Sequence, residues 1–141
     1  MIQHAPTADV PTVATAEHLR PVATAIGLAS VAIGAAPILA PSLCARAFGF
    51  PTPTPAVASV MRSLGARDVV LGMGLWSAAT HGGKYAPWLL ARTLSDAGDV
   101  LSIGLAAGEG VRNPRFLALG VLAVGATVTE ALLYRAARRG A

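Results

Sequence analysis

Seven ionisable residues stand in stretches too apolar to hold them without a purpose: Arg62, Arg67 and Asp68, then Arg92, Asp96 and Asp99, then Glu130. Charges among lipid-like sequence are costly, so they face a bundle interior and either pair or do chemistry. Pairing locks one segment on another, because a planar guanidinium makes two parallel bonds to a carboxylate and keeps its charge. Acid–base work needs a carboxyl that exchanges its proton. Four acids stand here against three bases. One carboxyl is therefore expected to lack a cation and to keep its proton in a low dielectric. Asp96 or Asp68 is the expected titrating group and the candidate catalytic residue. Arg62, Arg67, Arg92, Asp99 and Glu130 are the expected ion-pair cluster around them.

The elements that must position these groups read as four helices. Twenty-five residues without a charge lie between Arg20 and Arg46, enough for a spanning helix, which needs about 20. This first helix is expected over 22–44, opened by Pro21, with Pro37 and Pro41 kinking or ending its far turn. Its small residues Ala25, Gly27, Ala29, Gly34 and Ala36 permit close helix approach. Pro51, Pro53 and Pro55 predict a stiff, extended linker over 46–56, with Phe48 and Phe50 suited to a membrane surface. Further helices are expected over 57–80, 86–107 and 114–134, separated by the breakers Gly82 and Gly83 and by the turn 109–114. The membrane domain is thus 21–135, between a flexible tail over 1–20 and a basic tail over 136–141. The N-terminal tail lacks a basic n-region and is not expected to be a secretory leader.

Helical rise gives each charge a depth. Arg62 falls roughly 8 Å into the second helix, with Arg67 and Asp68 roughly 15 Å in, at 1.5 Å per residue. Arg92, Asp96 and Asp99 share one face of the third helix, being four and seven residues apart. Three layers are therefore expected: Arg62 with Asp99, Arg67 and Asp68 with Asp96, and Arg92 with Glu130.

Composition supports lipid as the solvent. The chain has 141 residues, 54% hydrophobic and only 13% charged, and its mean hydropathy is +0.59. A soluble domain has about a quarter of its residues charged. The net charge of +4 does not point to nucleic acid, since the basic residues are dispersed and no aromatic-lined basic stripe accompanies them. A lone cysteine, Cys44, excludes an intramolecular disulfide and a cysteine zinc site. His4, His18 and His81 read as solvated. Asp96-Ala-Gly-Asp99 is too short a pattern to hold Mg²⁺ unaided, so no metal and no cofactor are expected. Gly104 and Gly108 form a GxxxG pattern that reads as close helix packing.

Arg62-Ser-Leu-Gly-Ala-Arg-Asp68, followed by Val-Val-Leu-Gly72, resembles an uncharacterised family of small bacterial and fungal integral membrane proteins with an R-x-x-G-x-R-D-x-x-x-G signature. The likeness spans about residues 22–135. It implies the four-helix membrane fold and the importance of Arg62, Arg67 and Asp68, and carries no activity.

The fold class expected is all-α, a four-helix transmembrane bundle with a buried Arg/Asp/Glu cluster. Five basic residues on the side of the termini against three on the other place both termini in the cytoplasm. Trp76, Tyr85, Trp88 and Tyr134 would form an aromatic belt on that side. Three functions compete. The first is a non-catalytic bundle that binds lipid or a partner helix, or assembles as a homo-oligomer. The second is an intramembrane enzyme acting on an apolar small molecule, isoprenoid or quinone-like, through Asp96 or Asp68 with Arg67 or Arg92 steadying negative charge. The third is a proton-coupled carrier.

Overall fold

The computed structural model describes residues 12–139. They form five helices and, among the described residues, no strand: α1 (Thr12–Leu39), α2 (Pro41–Ala47), α3 (Pro55–Thr80), α4 (Ala86–Gly108) and α5 (Pro114–Arg139). Four of the five are long. The chemistry of their ends explains the boundaries. Pro41 disfavours the helical conformation at the residue before it, so α1 stops at Leu39 and Ala40 takes φ −133° and ψ 58°. The chain then re-enters a helix with Pro41 in its first turn, so the far end of the expected first helix becomes the separate seven-residue α2 and the expected linker shortens to 48–54. Thr54 caps α3, its side chain accepting from the Val57 N–H at 3.3 Å, and Pro55 occupies the first turn.

The N-terminal boundary differs from expectation. Helix α1 starts at Thr12, so residues 12–20, expected as part of a flexible tail, are helical and Pro21 lies inside the helix rather than at its start. His4 and the rest of 1–11 lie outside the described residues. At the other terminus α5 continues to Arg139, bringing Arg138 and Arg139 into its last turn, where cations complement the helix dipole.

Packing divides the helices into two antiparallel pairs. Helix α1 lies along α3 and α4 along α5, while α1 with α5 and α3 with α4 touch less. Glycines set the first pair. Gly27 faces Gly72 and Gly34 faces Gly65, seven residues apart on each helix. A Cβ on Gly27 would stand 2.8 Å from the Gly72 carbonyl, and one on Gly34 would stand 2.6 Å from the Gly65 carbonyl. Backbone therefore meets backbone, as small residues allow in membrane helices. Gly104 and Gly108, expected to make such a contact, meet nothing within 4 Å. They face away from the bundle.

The apolar core sits at the end beside the 81–85 turn, where Ala23, Leu75, Ala79, Tyr85, Leu89 and Ala137 are buried and Trp88, Leu133 and Tyr134 pack on them. Tyr85 is thus core, not belt, and of the expected aromatics only Trp76 is exposed. Arg20 closes this end. Its Nη1 donates to the carbonyls of Ala78, Ala79 and Gly83 at 3.2–3.4 Å, and its guanidinium lies 5.3 Å from the centre of the Tyr85 ring. A cation here satisfies the carbonyls that the end of α3 leaves open and opposes its dipole. Burial pushes the Tyr85 hydroxyl above its ordinary range, and the Arg20 charge offsets part of that rise. Arg20→Gln is expected to lower the stability of the purified protein by about 1 kcal/mol, read as a lower midpoint in thermal unfolding. An unchanged midpoint would mean that the contact is incidental.

Away from this end the usual arrangement is reversed. Leu39 is 83% exposed and Val121 73%, with Ile33, Leu43, Val70, Leu94, Leu101, Leu105, Leu122 and Leu132 also outward. Two helical segments, Glu17–Leu39 and Pro114–Arg139, are long and apolar enough to cross a membrane, and only 22% and 6% of their apolar windows are buried. A core helix of a soluble domain would be buried over most of that length. Helices α3 and α4, interrupted by charges, contain no such window. The four-span reading therefore does not follow from apolar length alone.

Candidate functional site

The charges converge on α4. Asp96 and Asp99 are three residues apart on it, one turn in register, and each turns to a different arginine. Around Arg67 on α3 four of the five guanidinium N–H donors are engaged. Nη1 and Nη2 bond the two oxygens of Asp99 at 2.9 and 2.8 Å, and Nε and Nη2 bond Asp68 Oδ1 at 3.0 and 2.9 Å. This fork joins α3 to α4. Its three side chains remain between a quarter and a third exposed.

The second cluster lies deeper. Arg92 on α4 donates from Nε to Glu130 Oε1 at 2.7 Å, joining α4 to α5. Its Nη2 stands 4.0 Å from Asp96 Oδ2, one turn along the same helix. Two carboxyl groups thus share one guanidinium. The Glu130 side chain is only 4% exposed. Its Oε2, like the hydroxyl of Ser95 on α4, is buried and meets no donor, while the carboxyl itself lies within hydrogen-bonding reach of Asp96. Such orphaned atoms are costly, since a buried polar group forfeits its bonds to water.

Six of the seven singled-out residues therefore come together, in two arginine-centred sets, and one does not. Arg92 meets Glu130 as the depths predict. Arg67 meets Asp99 rather than Asp96, and Asp96 falls to Arg92. Arg62 is exposed on α3, and among the described residues no carboxylate stands within ion-pair distance of it. The reason is angular. Arg62 and Arg67 are five residues apart, so at about 100° per residue they point roughly 140° apart, and only one of them faces α4. Depth sets the layer; azimuth chooses the partner.

The other marked residues are placed as follows. His81 is exposed, with Nδ1 3.0 Å from the Ser77 carbonyl oxygen. Cys44 is a free, half-buried thiol. Asp96 and Asp99, read as a weak diphosphate-metal pattern, are each turned to an arginine. Among the described residues no group of three His, Cys, Asp or Glu side chains could hold a metal ion. Ser95 escaped the sequence reading, since nothing marks one serine in a helix; its place beside Asp96 was the only signal.

The model of the DUF4267 family, described as a domain of unknown function, matches residues 27–133. That interval holds α3, α4, all seven ionisable residues and the four facing glycines. No curated protein and no solved structure matches the chain.

Proposed function

The chain belongs to the DUF4267 family, and from its own geometry we propose that it is a multi-pass integral membrane protein, a non-catalytic bundle that binds lipid or a partner helix. The observation that carries this reading is the reversal of polarity: leucines and valines outward along α1, α4 and α5, arginine–carboxylate pairs inward between α3, α4 and α5. In lipid that distribution lowers the energy; in water it would raise it. Length agrees. The shortest of the four long helices has 23 residues, about 35 Å at 1.5 Å per residue, against a hydrocarbon core of about 30 Å. Helices α3 and α4 then cross as the charged inner members, shielded by their own ion pairs. The basic residues favour both termini in the cytoplasm. Arg67, with four of its five N–H donors bonded to carboxylates, supports a cluster that holds shape rather than one that turns substrate over.

One observation favours a second reading, an intramembrane acid–base enzyme. The orphaned Glu130 Oε2 and Ser95 hydroxyl leave the Arg92 set incompletely satisfied. Asp96 with Glu130 would then be the proton-handling pair, and Asp68, bonded to Arg67 through Oδ1, would stand in the other arginine's set.

Two experiments test these readings. The first is extraction of cell membranes with alkaline carbonate, followed by thiol labelling of His81→Cys and Glu109→Cys in a Cys44→Ala background. The protein is expected to stay with the membrane and the two positions to label from opposite sides. Release by carbonate, or labelling of both from one side, would overturn the four-span reading. The second is thermal unfolding of Asp96→Asn in detergent. A midpoint lowered by several degrees is expected if Asp96 is a structural partner of Arg92. An unchanged or higher midpoint would favour the enzyme, because functional groups are commonly held at a cost in stability.

A further inference from the structure

At the end of the molecule opposite the apolar core the chain builds a second polar feature. Helix α2 ends at Ala47 with Phe48 as its C-cap, and Gly49 turns left-handed with φ 100°. Its N–H donates to the Arg46 carbonyl at 3.1 Å and the Phe50 N–H to that of Ala45 at 2.9 Å, the paired bonds of a glycine-terminated helix. Asn113 reaches across from the α4–α5 turn. Its Nδ2 donates to the Gly49 carbonyl at 3.0 Å, and its Oδ1 accepts from the N–H groups of Arg115 and Phe116 at 3.0 and 3.3 Å. The rings of Phe50 and Phe116 meet edge to face, 6.0 Å between centres. One asparagine thus ties the end of α2 to the start of α5, in a place where no side chain larger than hydrogen fits at position 49.

The consequence is an open cleft of about 450 Å³, lined by Arg46, Gly49, Pro51, Asn113, Pro114 and Arg115. Two arginines line it and no acid does. Among the described residues neither arginine has a carboxylate within ion-pair distance. Elsewhere Arg67 and Arg92 have found their carboxylates and Arg20 its carbonyls, while Arg62 stands exposed on α3 outside the cleft. The first amides of α5 are already taken by Asn113, so an anion in the cleft would be held by the guanidinium forks, which match the oxygens of a phosphate. Apolar surface begins beside both cations. Leu43, one turn before Arg46 on α2, and Leu122, two turns beyond Arg115 on α5, are both well exposed.

We propose that this cleft binds the phosphate of a membrane phospholipid, with Arg46 and Arg115 on the headgroup and the acyl chains against the leucines. The proposal rests on the membrane reading of the chain and names the lipid contact that reading leaves general. The test is native mass spectrometry of the purified full chain in maltoside detergent. The chain is titrated with phosphatidylglycerol, with a diacylglycerol of the same acyl chains, and with inorganic phosphate. Phosphatidylglycerol is expected to form a stoichiometric adduct that diacylglycerol does not form. Arg46→Gln with Arg115→Gln is expected to weaken it about ten- to thirty-fold, given the attraction of each basic residue for anionic lipid. Arg138→Gln with Arg139→Gln, an equal loss of charge outside the cleft, is expected to leave it nearly unchanged. Equal binding by the cleft variant, equal loss in the control variant, or equal binding of diacylglycerol would overturn the proposal. Displacement of the lipid by inorganic phosphate at matched concentration would also overturn it, and would make free phosphate the ligand. Carbonate extraction reads the membrane assignment separately, so a protein that stays in the membrane while its adduct ignores Arg46 and Arg115 defeats the cleft alone.

Discussion

Gly72→Ala is expected to destabilise the protein, and Gly104→Ala to leave it unchanged or slightly more stable. The same methyl group is added in both, so the contrast isolates its surroundings. At Gly72 the new Cβ would stand 2.6 Å from the Gly27 carbonyl and 2.9 Å from the Val31 N–H. Both neighbours are backbone, which cannot rotate aside, so α1 and α3 must separate. Overpacking of this kind costs about 1–3 kcal/mol. At Gly104 the Cβ meets nothing within 4 Å, and alanine is the better helix former by roughly 0.8–1.0 kcal/mol in water. Gly34→Ala repeats the clash at the Gly65 carbonyl. Once one methyl has forced the helices apart the second finds room, so the double variant Gly34→Ala, Gly72→Ala is expected to lose less than the sum of the singles. Thermal midpoints in one detergent measure all four. A midpoint for Gly72→Ala equal to that of Gly104→Ala would mean that the α1–α3 contact is looser than described.

That contact was half legible in the sequence. Gly27 and Gly34 stand out because glycine is scarce in helices unless another backbone comes close, and their seven-residue spacing keeps them on one face. Their partners Gly65 and Gly72 carry the same spacing but lie inside the Arg62–Gly72 motif, where the charges draw the eye. Gly104 and Gly108 show the opposite failure. A GxxxG pattern states that a close approach is permitted, and only the partner helix decides whether it happens. The candidate site divides in the same way. Helical rise gave the heights of Arg92 and Glu130 well enough to pair them. Heights cannot separate Arg62 from Arg67 as the partner of Asp99, because that choice depends on how α3 is rotated, and rotation is set by the glycine face turned to α1. The break at Ala40 was written in Pro41. The helical stretch over 12–20 was not, since Ala and Thr there fit either a helix or a tail.

Arg92→Met is expected to cost more than any other single substitution in the ion-pair clusters, about 3–5 kcal/mol, the range for stranding a buried charge. Arg92 is 12% exposed and sits between Asp96 at 15% and Glu130 at 4%. Its removal takes the cation from Glu130, which is then left buried beside a second carboxyl, Asp96. Arg67→Met should cost less. Asp68 and Asp99 are 26% and 34% exposed, so the charges stranded there are less enclosed by the bundle than Glu130. The origin of the loss is tested by adding Glu130→Gln to Arg92→Met. If the penalty is the uncompensated carboxylate, the second change restores part of what the first removed, and the pair shows strong coupling in a double-mutant cycle. If the two losses simply add, Arg92 contributes through packing of its aliphatic stem rather than through charge. The first outcome would make the Arg92–Glu130 bond the tie that holds α5 to α4, and so the point at which the second helical pair separates when the bundle opens.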